Sequence, residues 1–570
     1  MSVILSLIPL LLIIAIAILV VRKISNRGLS TNSTAQPVRL FFQYALTLGL
    51  FINFTVGLSG LLGRLLGAST DVVTDQSSLA SYLAFVVVSG PLLAWLILWL
   101  KKSIASNPLD AAGFIPTFFA TIAAVISLLV FMSSAIAVSH NLIDGASALG
   151  YTSARAIVWG IALIAVLRAS NAVIPENDFR IQYFVGSFIT AIVAIVGLIN
   201  VLANLISAII SQPIFLGAQS PALISTGDNS LDGFGTLVVA GALWFYYWIK
   251  NANTKTNDKT WLTYVLVAGV GGGLVIAITS LTVTMYQVLV WLIGNPASQV
   301  MSEHFDGLAA SAASAIVGLL AWWYHKSLLP RNSQRSQTQR IYEYVVAAIS
   351  LTASTVGISI IIVAIFEAFT SSIIVGDDAI NTLLGAATVI LVSGPVWVRF
   401  WTRIQGFAKT SEQEELTSPV RRIYLFLLFG VGGIVAIVSL ITVAFQIING
   451  ILSSTLGNST LNEMRFALGI LISTGIVAAY HWEIYRHEKD VEVSFGSLTK
   501  SVLLVGPANP EFVHALKEAT GAKISFLERT DSGDLDWPTD RVIDLITNSK
   551  DRDLLILLES AGVKVVPVTH

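Results

Sequence analysis

Apolar stretches of about 20 residues, each long enough to cross a hydrocarbon layer of about 30 Å as a helix, recur along the whole chain until Tyr485. Thirteen can be counted. The first, Val3 to Val21, has no Lys or Arg before it and is followed by Arg22, Lys23 and Arg27. A cleaved secretory signal carries its charge in the opposite order, so 1–37 reads as a retained N-terminal transmembrane anchor and a cytoplasmic linker. The other twelve runs pair into six helical hairpins over 38–486, at 38–100, 113–170, 180–250, 260–327, 340–404 and 420–486.

The polar positions between these runs fall into two alternating sets. Connections between hairpins carry the cations, among them Arg39, Lys101, Lys102, Arg168, Arg180, Lys250, Lys259, Lys326, Arg340, Lys409, Arg421 and Arg422. Hairpin tips carry carboxylates instead, including Asp71, Asp75, Asp144, Asp228, Glu303, Asp306, Asp377 and Glu463. The positive-inside rule puts the tips outside and the connections in the cytoplasm. Thirteen crossings that begin outside end inside, so the count and the charges agree.

The hairpins also repeat. Gly271–Gln287 and Gly430–Gln446 align without a gap, sharing Ala277/Ala436, Ser280/Ser439 and Leu281/Leu440. Second helices repeat a glycine with tryptophan three and seven positions on: Gly241, Trp244, Trp248 and Gly394, Trp397, Trp401. The sequence VSGP occurs at Val88–Pro91 and at Val392–Pro395. All six hairpins share one orientation, so the repeats are parallel, related by an axis along the membrane normal. Hairpin 113–170 is the most diverged.

Beyond Tyr485 the apolar runs stop, and 491–570 reads as a small soluble domain. Its pattern predicts β-α-β-α-β-β: Ser501–Val505, Pro510–Thr520, Lys523–Leu527, Thr539–Asn548, and a hairpin of Leu554–Leu558 with Val563–Val568. The expected fold class is therefore an all-α polytopic membrane protein with a C-terminal α/β domain.

Composition agrees. Of 570 residues, 55% are hydrophobic and 12% charged, against roughly 25% charged in ordinary soluble domains, which excludes a soluble globule. There is no cysteine, which removes disulfides, thiolate metal sites and cysteine nucleophiles. A net charge of −1 provides no field for nucleic acid.

The Arg-Ile-Tyr openings at Arg340–Tyr342 and Arg422–Tyr424, the Gly-Pro-Val-Trp at Gly394–Trp397 with a further Trp401, and the tandem hairpins resemble bacterial multi-spanning proteins classed as a domain of unknown function with four helices per copy. The resemblance covers about 38–486 and is strongest over 260–486. It implies the bacterial cytoplasmic (inner) membrane and carries no catalytic residues with it.

Candidate chemistry is sparse. Helix centres are nearly free of ionisable groups, which ion-coupled pumps usually need at depth. Near the outer helix ends Gln287, Glu367 and Gln446 occupy equivalent slots, with Asn204 at a similar height, and form a candidate polar ring. Interhelical hydrogen bonding is the plainer account of them. Trp99, Trp248, Trp261, Trp322, Trp323, Trp401 and Trp482 lie toward cytoplasmic helix ends, as an aromatic belt at the headgroups would; a quinone or pigment stack is the alternative. His325 and His481 recur at equivalent places and read as interfacial histidines beside Trp323 and Trp482, with haem ligation as the sharper option. Glu303, His304 and Asp306 in one tip are a weak metal pattern. Val505–Pro510 joins a strand to a helix but lacks a phosphate-binding fingerprint.

No catalytic, cofactor or metal site is expected. The leading expectation is a non-enzymatic scaffold, sensor or accessory subunit, with the lipid bilayer, a membrane-protein partner or a further copy of the chain as partners. The alternative is a channel or transporter for a neutral or lipid-like solute.

Overall fold

A computed structural model describes residues 35–67, 76–111, 113–144, 149–174, 176–210, 226–254, 259–330, 335–370, 379–410, 415–416, 418–488, 501–507, 509–520, 522–529, 536–549, 553–559 and 562–568. The anchor expected at 3–21 and the start of the C-terminal domain at 491 lie outside these residues. The chain divides into two compact units. The second comprises Val398–Leu456 and Phe466–His570, and the first the remainder.

The apolar runs are helices: α1 (Ala35–Leu66), α2 (Gln76–Ser106), α3 (Phe114–Asp144), α4 (Leu149–Val173), α5 (Glu176–Ile210), α6 (Thr226–Trp244, continued as a π-helix over Phe245–Asn251), α7 (Lys259–Ile293, with a π-helical stretch Tyr264–Gly271), α8 (Leu308–Ser327), α9 (Gln337–Thr370), α10 (Ala379–Thr410), α11 (Pro419–Leu452) and α12 (Asn458–Glu488). Among the described residues eleven helices are long and apolar enough to cross a membrane, and the aromatic-rich α6 is not among them. Their outer faces carry large exposed apolar side chains. On α11 only a narrow stripe including Tyr424, Leu425, Ser439 and Val443 is buried, while Ile423, Phe426, Val431, Ile434, Ile441 and Phe445 are exposed. In water such a surface would aggregate; in lipid it is solvated.

Helices in lipid gain little from hiding apolar area, so close approach through small residues and hydrogen bonds holds them together. A Cβ on Gly57 of α1 would lie 2.8 Å from the Tyr82 carbonyl of α2. One on Gly197 of α5 would lie 2.6 Å from the Leu237 amide and 3.2 Å from the Gly233 carbonyl of α6. One on Gly357 of α9 would lie 2.6 Å from Ile390 and 3.3 Å from the Ala386 carbonyl of α10. The same contact therefore recurs at three places. The VSGP sequences lie inside α2 and α10. In the second of them the Ser393 hydroxyl is 2.9 Å from that of Ser354 on α9.

The π-helix in α7 has a cause that the repeat exposes. Gly273 packs on Gly318 and Trp322 of α8, just as Gly432 packs on Thr474 and Ala478 of α12, so these two glycines correspond. Tyr264 and Tyr424, which contact equivalent histidines, correspond too. Yet Tyr264 precedes Gly273 by nine positions and Tyr424 precedes Gly432 by eight. One extra residue inserted into a helix is accommodated by a wider π turn, and Tyr264–Gly271 is that turn.

The C-terminal segment forms β1 (Ser501–Gly506), α13 (Pro510–Thr520), β2 (Lys523–Glu528), α14 (Thr539–Thr547), β3 (Asp553–Glu559) and β4 (Gly562–Pro567). The sheet order is β2-β1-β3-β4, parallel except for the β3–β4 hairpin. Val502, Leu504, Leu554, Ile556 and Leu558 pack on Phe512 and Leu516 of α13 and on Val542 and Ile546 of α14. Both helices thus cover one face. On the opposite face the register aligns Leu503, Val505, Leu527, Leu555, Leu557 and Val566, bordered by Lys523, Asp553, Glu559 and Lys564; neither helix of the domain packs there.

Candidate functional site

The best-defined polar construction among the helices occurs twice. In the first copy the indole N–H of Trp248, in the π-helical end of α6, donates to the Tyr324 hydroxyl over 2.9 Å. The Trp248 ring lies 4.3 Å from that of Tyr264, and His325 sits among Trp248, Tyr264 and Tyr324 at centroid distances of 6.0, 6.0 and 4.9 Å. In the second copy Trp401 donates to Tyr480 over 2.9 Å and stacks on Tyr424 at 5.5 Å. His481 lies 5.5, 5.8 and 5.0 Å from Trp401, Tyr424 and Tyr480.

Each histidine has its tautomer set by its own helix. Nδ1 of His325 is 2.8 Å from the Ala321 carbonyl and Nδ1 of His481 is 2.8 Å from that of Val477. A carbonyl only accepts, so Nδ1 carries the proton in both. The Nε2 of each is buried and has no hydrogen-bond partner among the described residues. The backbone closes tightly over the first copy: a Cβ at Gly269 would fall on the imidazole of His325.

Burial divides the residues of the expected aromatic belt into two sets. Trp248, Trp261, Trp401, His325 and His481 are buried inside the protein. The three indole N–H groups are bonded inside the protein, Trp261 through a 2.8 Å bond to Asn253, and among the described residues each imidazole is bonded through Nδ1 alone. Trp323 at 65%, Trp482 at 47% and Trp99 at 41% exposure do face outward, as belt residues would. Trp322 lies between these extremes, its ring 5.1 Å below the Lys326 ammonium.

Of the expected polar ring, the side chain of Glu367 has a defined partner. Glu367 is buried and accepts from Arg465 Nε at 3.3 Å. The backbone carbonyl of Gln287 is 2.9 Å from His304 Nε2, while its buried side-chain Oε1 has no hydrogen-bond partner among the described residues. Gln446 lies on α11 and Asn204 on α5. In the tip with the weak metal pattern, Glu303 instead accepts from Ser298 over 2.6 Å, and His304 turns toward Gln287 and the Trp291 ring. In the C-terminal domain the strand–helix junction after β1 is filled by Trp537, whose indole donates to the Pro507 carbonyl over 2.9 Å and whose ring stacks on Phe512.

The sequence pattern singled out Tyr424 but not Tyr264, Tyr324 or Tyr480. The adjacent pairs Tyr324–His325 and Tyr480–His481 were the available signal, since both members recur together. It also missed what the opening arginines do. Arg39 at the start of α1 pairs at 2.8 Å with Asp110, just past the end of α2. Asp110 is fully buried and also accepts from Ser103 and Asn107. Arg421 near the start of α11 is fully buried and forms a two-pronged pair, 2.6 and 2.7 Å, with Glu488 at the end of α12. An opening cation thus clasps a carboxylate at the far end of its own hairpin.

No curated protein and no solved structure matches the chain. The likeness expected to be strongest over 260–486 falls on two separate stretches, one of which includes the hairpin 113–170 that read as most diverged, while the twin of the second aromatic cluster at Trp248–His325 lies between them. Residues 40–169, from α1 into α4, and 340–476, from α9 into α12, each match the family described as a domain of unknown function (DUF5671), two matches that are consistent with tandem repeated units.

Proposed function

We propose that the chain is a non-enzymatic scaffold or accessory subunit of the bacterial cytoplasmic membrane, spanning it thirteen times with its N-terminus outside. Its six hairpins form three tandem four-helix units, the middle one over α5–α8, and its C-terminal domain lies in the cytoplasm, where it joins a second copy of the chain. The recurring glycine contacts at Gly57, Gly197 and Gly357 support the three units. The observation that carries the scaffold reading is the sheet face opposite α13 and α14. Six aliphatic side chains line it, and its rim has two lysines, Lys523 and Lys564, and two carboxylates, Asp553 and Glu559. A face with balanced charges of both signs around an apolar centre is complementary to itself, and homodimeric contacts are isologous. The Glu367–Arg465 pair weighs in the same direction, because it neutralises the one carboxylate that a polar conduit would use.

The test is gentle purification of the full chain from native membranes, with its mass in detergent and its co-purifying proteins identified. A dimer that Leu527→Asp converts to monomer supports the reading; Leu527 is 56% exposed, so the substitution leaves the domain core intact. A chain that stays monomeric at every concentration and enriches no membrane protein overturns it.

A further inference from the structure

At the cytoplasmic end of the last hairpin, as the membrane reading orients it, Leu416, Arg422, Leu425, Tyr485 and Glu488 line a small pocket open on one side. Arg422 and Leu425 lie one turn apart at the start of α11, and Tyr485 and Glu488 one turn apart at the end of α12. The walls are set in place from behind. Both carboxylate oxygens of Glu488 are held by the fully buried Arg421, which also donates to Gln405 at 3.3 Å. The Tyr485 ring is packed between Phe429 at 5.1 Å and Trp482 at 5.9 Å.

We propose that this pocket holds the phosphodiester of a membrane phospholipid. Glu488 is already matched by Arg421, so among the described lining residues Arg422 supplies a positive charge with no carboxylate assigned to it. A guanidinium binds phosphate oxygens through charge-assisted, two-pronged hydrogen bonds, and the phenol of Tyr485 is a second donor. The 34-residue helix α11 begins beside the pocket, and the positive end of its dipole adds to the attraction for an anion. A free phosphate would be served by the same donors. The lipid is distinguished by what adjoins them: Leu416 and Leu425 line the pocket, and Ile423 at 58% and Phe426 at 60% exposure flank Arg422 and Leu425 on α11, giving acyl chains an apolar surface next to the headgroup.

This proposal rests on the membrane reading above, and the experiment separates the two. The full chain is extracted from membranes, stripped of lipid in detergent, and titrated with phosphatidylglycerol or phosphatidylethanolamine in mixed micelles, with bound lipid counted by native mass spectrometry. Wild type is expected to retain one phospholipid, and Arg422→Gln to weaken that retention by about tenfold or more. Tyr485→Phe, which keeps the packed ring, is expected to weaken it less, and Lys409→Gln on α10 to leave it unchanged. Unaltered thermal melting of each variant in detergent excludes misfolding as the cause. Equal retention by Arg422→Gln and wild type overturns the proposal, as does displacement of the lipid by millimolar inorganic phosphate, which would make a free phosphate the occupant. A chain found outside the membrane fraction would instead overturn the membrane reading.

Discussion

Trp401 donates its indole N–H to the hydroxyl of Tyr480 over 2.9 Å, the bond that Trp248 makes to Tyr324 at the same length. The indole of Trp401 is buried, so removing the hydroxyl takes this bond away at a site water does not reach. Tyr480→Phe is expected to destabilise the protein by about 1–3 kcal/mol, and Trp401→Phe by a similar amount through lost packing. The double variant should fall short of the sum by about 1 kcal/mol, because the second substitution has no bond left to break. Chemical denaturation in detergent measures all three. Full additivity would mean that the bond contributes nothing.

The extra residue in α7 makes a second prediction, unusual in that a deletion should be tolerated in a packed helix. Removing Val267, which is 65% exposed within Tyr264–Gly271, restores the eight-position spacing found between Tyr424 and Gly432. The π turn relaxes to α while Tyr264 and Gly273 keep their contacts. Removing the similarly exposed Leu427 from α11 has no such slack, and rotates Tyr424 by about 100° away from His481. Folded yield and melting temperature in detergent should be near wild type for the first deletion and strongly reduced for the second. Equal damage from both would mean that the π turn is not an inserted residue.

How much of this was readable beforehand follows from what each physical signal specifies. Hydropathy marks where helices run, and α1 to α12 lie where the apolar runs predicted them. Period-two alternation likewise located β1 to β4 within a residue or two. Neither signal says which face of a helix meets a neighbour, because in lipid an apolar side chain is equally at home inside the bundle or outside it. That is why Trp248 and Trp401, buried, could not be told from Trp323 and Trp482, exposed. The partners Tyr324 and Tyr480 lie 76 and 79 positions from their tryptophans, beyond any local pattern. Charge placement fared better at marking ends than at naming pairs: Arg39 and Arg421 read as cytoplasmic cations, but Asp110 and Glu488 became their partners only through tertiary structure.

Gly357 tests the close approach of helices. The Cβ of an alanine there would come within 2.6 Å of the Ile390 side chain and 3.3 Å of the Ala386 carbonyl. The isoleucine tip can yield, but the backbone cannot. Gly357→Ala is therefore expected to cost about 1 kcal/mol and Gly357→Leu about 3 kcal/mol or more, by forcing α9 from α10. Gly430, where a Cβ would meet nothing within 4 Å, is the control; Gly430→Ala should be neutral or slightly stabilising. Melting temperatures in detergent decide it, and equal effects at the two glycines would remove close packing as the reason for Gly357.

Arg421 and Glu488 give the largest expected effect. Arg421 is fully buried and its partner's side chain is 17% exposed, so a change that removes one charge leaves the other poorly solvated. Arg421→Gln or Glu488→Gln alone should cost about 3–5 kcal/mol. The double substitution replaces two charges by two amides able to hydrogen-bond each other, and is expected to recover much of that loss, since a buried pair contributes little net stability over a neutral replacement. The two single variants also differ in kind. Glu488→Gln removes the two-pronged carboxylate from a guanidinium with no exposure, whereas Arg421→Gln leaves a carboxylate that water can partly reach, so Glu488→Gln should be the worse of the two. Denaturant midpoints for the three variants test both points; a double variant no more stable than either single would show that Arg421 and Glu488 act through other contacts than the one they share.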